Sequence, residues 1–172
     1  MNMNQFTQKS LEAVQSAQSI AQEYGNQQIE QAHLLYALLR QENGLIPQLL
    51  THMGITVPSF EAAVRKEVED LPRVTVSGGR EAGKVYIAPG VDKALNTAES
   101  TAASMKDEYV SVEHLLLALV ETADRAERAP IPYEKNIAKY VMMPGNAIRR
   151  HPVVEERTRK LTQYAETAPI NR

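Results

Sequence analysis

The sequence predicts an all-α fold in which one helical unit occurs twice in tandem. Two observations carry this: apolar residues recur with a 3.6-residue period through most of the first 72 residues, and a second stretch repeats the first at a constant offset, His33 and His114 being 81 apart. Gly and Pro gather where one copy gives way to the next.

The first helix is expected from Thr7 to Tyr24. Ala13, Ala17, Ile20, Ala21 and Tyr24 form one apolar stripe, Thr7 is a good N-cap, and Gly25-Asn26 a good stop. A second follows over about Glu30 to Gln41, with Leu34, Leu35, Leu38 and Leu39 on its buried face. Leu45 to Met53 reads as a short third helix that tolerates Pro47 in its first turn and ends at Gly54. A fourth starts near Pro58, carries Phe60, Val64, Val68 and Leu71, and stops at Pro72.

Residues 1–72 therefore make the first repeat, and residues 73–90, with Gly78, Gly79, Gly83 and Pro89-Gly90, a linker. At the offset of 81, Phe6 falls on Ile87, Ala13 on Ala94, Val14 on Leu95, Ala17 on Ala98 and Ala21 on Ala102. IEQAHLLYALL (29–39) then meets VSVEHLLLALV (110–120) in the same ungapped register. The second repeat is assigned to residues 91–145 and diverges after about 122. Five of the nine prolines lie from Pro130 to Pro169. Ile131 to Met143 and Val153 to Tyr164 are the helix candidates there, with 146–172 a C-terminal helix or linker.

Composition narrows the function. Hydrophobic residues at 43% and charged ones at 23% fit a soluble globular chain. A net charge of −2 and the absence of Trp argue against nucleic acid and against an anionic membrane. Without Cys there is no disulfide, thiolate nucleophile or Cys-based zinc site. MNMNQFTQKS has no apolar leader region, and no apolar run reaches the ~20 residues of a membrane span, so a cytoplasmic location is expected.

SGGREAGKVY (77–86) nearly spells a phosphate-binding loop. Gly78, Gly83 and Lys84 fit, but Val85 stands where a Ser or Thr hydroxyl must meet Mg²⁺. The β-like KVYIAPG that follows also lacks the helix whose first turn carries such a site. The stretch is read as a linker, a nucleotide site on Lys84 being the least favoured alternative. His33 and His114 lack metal-ligand spacing and are read as structural, hydrogen-bonding locally in the first turn of an apolar helix. Glu113 suits the helix dipole there, with Ser111 as N-cap. No nucleophile motif is present, and Arg149-Arg150-His151 and Arg157 to Lys160, interrupted by Glu155 and Glu156, read as a solvated face.

FTQKSLEAVQSAQSIAQEYGNQQIEQAHLLYALLRQENG closely resembles the first repeat of the Clp N-terminal domain of Hsp100 chaperones, and VDKALNTAESTAASMKDEYVSVEHLLLALVE the start of the second. The long glycine-containing link is most similar to the ClpB disaggregase branch. The resemblance covers roughly residues 4 to 122. It implies a pseudo-twofold domain of about eight helices that binds substrate or an adaptor. It further implies a tether to AAA+ ATPase rings, in a parent chain that forms a homohexamer, while the isolated domain is a monomer. The ATP and Mg²⁺ would belong to ATPase modules not in this sequence, so this piece would itself be no enzyme and hold no cofactor or metal.

By the same resemblance, the apolar lining of a client groove in the second repeat falls on Thr97, Thr101 and His114, which are more polar here. A polar set falls on Thr7, Asp107 and Glu113. Of the two acids with which the ClpC branch binds phosphorylated arginine, Glu113 matches one and Ala32 replaces the other. The implied partners are unfolded or aggregated proteins for a disaggregase. The alternative is one folded adaptor or partner helix, as in protease-linked and sheath-remodelling branches.

Overall fold

The structure, a computed structural model, describes residues 3–74 and 84–122. The helix candidates at 131–143 and 153–164, and with them residues 123–145 of the second repeat, lie outside the described residues.

Four helices form the first repeat: α1 (Gln8–Glu23), α2 (Gln31–Arg40), α3 (Leu45–His52) and α4 (Val57–Asp70). Two form the described part of the second: α5 (Pro89–Ser104) and α6 (Val112–Thr122). The domain is all-α, with two-residue strands β1 (Gln28–Ile29) and β2 (Tyr86–Ile87) between helices. Local chemistry explains the boundaries. Thr7 caps α1, its side chain accepting from the Ser10 N–H at 3.2 Å. Pro58 sits in the first turn of α4, where a missing N–H costs nothing.

For the same reason Pro89 and Gly90 open α5, although the sequence places them in the linker. Their Pro-Gly character reads as a turn, but φ fixed near −65° is equally suited to a helix's first residue.

The offset of 81 extends to backbone geometry. α1 turns out at Gly25 with φ +70°, and α5 at the equivalent Lys106 with φ +60°. Left-handed backbone suits glycine but crowds the Cβ of lysine against the following carbonyl.

The repeats are interlocked rather than juxtaposed. Phe6, which leads the first repeat, bridges in parallel to Val110 of the second. Thr7 N donates to Val110 O at 2.9 Å, and Val110 N to Gln5 O at 2.8 Å. Ile87, which leads the second repeat, pairs in parallel with Ile29 of the first, and Ala88 N donates to Ile29 O at 3.1 Å. Subtracting 81 turns Ile87 into Phe6 and Val110 into Ile29, so each bridge is the other's symmetry mate. Two side chains reinforce the exchange. Ser10 Oγ lies 2.8 Å from Val110 O, and Gln31 Nε2 donates to Gly90 O at 2.9 Å and Thr122 Oγ1 at 3.0 Å.

One apolar core runs through both repeats. α2 is buried from Ala32 to Leu39 and α6 from Val112 to Leu119, so both are central helices without a solvent face. α1, α4 and α5 are amphipathic and lean on them. No described helix is long and apolar enough to cross a membrane.

Replacing Lys106 with Gly should relieve the left-handed strain. We expect Lys106→Gly to raise unfolding free energy by about 0.5–1 kcal/mol, net of glycine's entropic cost, in a urea titration.

Candidate functional site

The residues assigned from sequence gather around the start of α6 and along α5. Asp107 follows the left-handed turn at Lys106, its backbone N–H returning to Ala102 O at 2.9 Å. That turn aims its carboxylate at His114 in the first turn of α6, with Oδ2 and Nε2 2.7 Å apart. On the other ring edge, Ser111 N donates to His114 Nδ1 at 2.9 Å. An amide N–H can only donate, so Nδ1 is the bare nitrogen and the ring proton sits on Nε2, pointing at Asp107.

Thr7 joins the group through its backbone bond to Val110, one residue before Ser111. Thr7, Asp107, Glu113 and His114 therefore converge on one junction between the repeats.

Ser111 Oγ also lies 3.1 Å from His114 Nδ1, giving a Ser–His–Asp sequence of contacts. Its geometry is that of a helix cap. The Nδ1 lone pair already receives the Ser111 amide, and Ser111 and His114 are 4% and 0% exposed. A serine nucleophile needs a free basic nitrogen and an open approach, and neither exists here.

The first repeat contains the counterpart. His33 Nδ1 accepts from Glu30 N at 2.8 Å, and its Nε2 lies 2.8 Å from Asn26 Oδ1. Asn26 stands at the position of Asp107, so one histidine meets a neutral amide and the other a carboxylate. Burial lowers the His33 pKa from 6.5 to about 4, because desolvation penalises the charged ring. Both histidines thus hydrogen-bond locally, as the sequence implied.

The proposed client-facing residues separate by depth. Thr97 and Thr101 are one turn apart on α5, Thr97 half-buried and Thr101 buried. His114, which the resemblance places in the lining of a client groove, is wholly enclosed and committed at both nitrogens, so it cannot present its ring to a client at the surface. Glu113 is likewise fully buried, and neither carboxylate oxygen has a hydrogen-bond partner among the described residues. The helix dipole accounts for an acid at this position but not for its enclosure.

A feature the sequence did not suggest lies in the first repeat. An open cleft of about 620 Å³ runs between α1 and α2, with Ser16 and Ile20 on its α1 side. These are the equivalents of Thr97 and Thr101. Only the repeat register, applied from the second copy back to the first, could have located it.

A family model described as "Clp repeat (R) N-terminal domain" matches residues 5–129. The chain is 39% identical over 121 residues to chaperone protein ClpB of Nitratidesulfovibrio vulgaris, which covers 70% of this chain and 14% of that protein. The Hsp104 N-terminal domain from Candida albicans superposes with a TM-score of 0.65 at 22% identity, covering 88% of this chain and 91% of that one. A ClpV N-domain in complex with a VipB peptide superposes at 0.67 with 16% identity, covering 90% and 89%. The latter two likenesses establish the fold.

The low pKa of His33 has a signed consequence. The unfolded chain takes up this proton near pH 6.5 and the folded chain near 4, so stability is intact above 6.5 and declines as pH falls towards 4. The loss amounts to at most about 3 kcal/mol. Urea titrations should show it, and His33→Gln should reduce the slope over that window while lowering stability at pH 7.

Proposed function

This chain belongs to the Clp repeat N-terminal domain family, and we propose that it is the substrate-binding module of an ATP-dependent disaggregase or unfoldase chaperone. The observation that carries this reading is the match to a ClpB chaperone over 121 residues that amount to only 14% of that protein. Threading of clients would then be the work of ATPase modules elsewhere in a longer, hexameric parent acting in the cytoplasm. This piece binds and does not catalyse.

Clients would be unfolded or aggregated polypeptides held on the α5–α6 face of the second repeat. Thr97 is its accessible residue, while Thr101, Glu113 and His114 form the layer below. Threonine offers a methyl and a hydroxyl, so the face suits amphipathic segments better than purely apolar ones. Affinity per domain would be modest, and six copies on one ring would multiply it by raising the local concentration.

Nucleotide has no role in this module. Lys84 is followed by the strand Tyr86–Ile87, and α5 starts only at Pro89, which supports reading 77–86 as linker rather than phosphate loop.

The second reading is docking of one folded partner or partner helix, favoured by the ClpV N-domain solved with a VipB peptide. Titrating a labelled, permanently unfolded polypeptide by fluorescence anisotropy separates the two. Disaggregase function predicts weak, salt-tolerant binding that Thr97→Arg reduces by about fivefold, a loss of about 1 kcal/mol. Failure to bind that polypeptide, alongside stoichiometric binding of a single folded protein, selects the docking reading.

A further inference from the structure

The two lead segments are symmetry mates with different surroundings. Phe6 is 5% exposed, and its amide donates to Met3 O at 3.1 Å, closing a single 3₁₀ turn at Met3–Gln5. Lys84, Val85 and Tyr86 occupy the equivalent positions in the second repeat and make no such turn. Ile87, the mate of Phe6, is 46% exposed and Tyr86 52%. The Ile87 amide has no acceptor among the described residues.

The ladder fixes where that amide points. Tyr86 N donates to Gln27 O at 3.0 Å, and Ala88 N to Ile29 O at 3.1 Å. Alternate residues of a parallel strand address the same neighbour, so the N–H and C=O of Ile87 face away from β1. β2 therefore carries an open edge of the two-stranded sheet, a surface able to accept a further strand.

Two cations mark one end of this edge. Val74 N donates to Gly25 O at 3.0 Å, so residues 73–74 lie along the same backbone segment that holds β2, just ahead of it. This brings exposed Arg73 to the N-terminal end of β2. Lys84 comes to the same end and lies 5.8 Å from the centre of the Tyr86 ring.

We propose that the outer edge of β2 takes up an extended segment of unfolded polypeptide as a third strand. An acidic residue of that segment meets Arg73 and Lys84, and apolar residues lie beside Tyr86 and Ile87. Main-chain pairing recognises extended backbone whatever its sequence, which suits a ligand defined by its lack of fold. A helix cannot use this edge, because its own amides are spent internally. A second copy of this chain, offering KVYIA at the same edge, brings no acid to the two cations. The inference rests on the client-binding reading and adds a contact away from the α5–α6 face.

The probe is a short fluorescein-labelled peptide of alternating valine and threonine with glutamate at both ends, measured by anisotropy on the full chain. Its twin is N-methylated on the backbone amides, which removes strand pairing and keeps the side chains. The plain peptide should bind and the methylated one should not. Ile87→Pro deletes the outward donor but leaves both ladder donors, Tyr86 N and Ala88 N. It should weaken the plain peptide about tenfold, whereas Ile87→Ala, which keeps the N–H, should cost about twofold. Arg73→Glu with Lys84→Glu should cost about threefold and favour a lysine-ended peptide instead. If Ile87→Pro folds poorly, the methylated peptide on the unaltered chain reads the same pairing. A labelled unfolded polypeptide should also lose affinity on Ile87→Pro. Loss on Thr97→Arg alone would sink the edge and leave the client reading standing. The proposal is equally overturned by no binding up to millimolar peptide, by equal binding of the two peptides, or by an Ile87-dependent dimer of the chain.

Discussion

The reciprocal exchange of lead segments is the constraint on which the rest of the molecule depends. Phe6 leaves its own repeat to bridge Val110, and Ile87 leaves its repeat to pair with Ile29. Neither repeat's backbone hydrogen bonding is complete without the other. A buried unpaired amide costs on the order of 1–3 kcal/mol, so separating the copies would expose or orphan groups at both bridges together. The shared core follows, because α2 and α6 lie between the bridges and are buried on every side.

The junction also sets the functional geography. Val110 leads directly into Ser111 and the His114 cap, so the start of α6 is fixed by a strand contact to residues about a hundred positions earlier. The His114–Asp107 contact then ties the end of α5 to the start of α6. With the end of α5 tied to the start of α6, a ligand on the face bearing Thr97 would meet helices already ordered, at a lower ordering cost. The first repeat uses the same frame with Asn26 for Asp107, which makes its histidine station uncharged.

Much of this was legible because it is local or repeated. The Thr7 cap, the stop at Gly25-Asn26 and the stripe from Ala13 to Tyr24 are chemistry within one or two turns. The equivalence of His33 and His114 is a matter of register. The exchange was not legible, since Phe6, Ile29, Ile87 and Val110 are apolar residues whose pattern is the same whether they pair within a repeat or across it. Pro89-Gly90 misled because one dipeptide suits both a turn and a helix start. At the candidate site, burial could not be read from the resemblance: His114 is enclosed by a pairing with Asp107 that becomes evident only when the turn at Lys106 is seen.

On the proposed function, the interlocked repeats present the α5–α6 face to unfolded polypeptide. Amide chemical-shift mapping of the full chain, titrated with an unfolded polypeptide, tests it most directly. Progressive shifts are expected on α5 around Thr97 and at the start of α6, with α3 and α4 silent. Shifts confined to the first repeat, or none at saturating polypeptide, would contradict it.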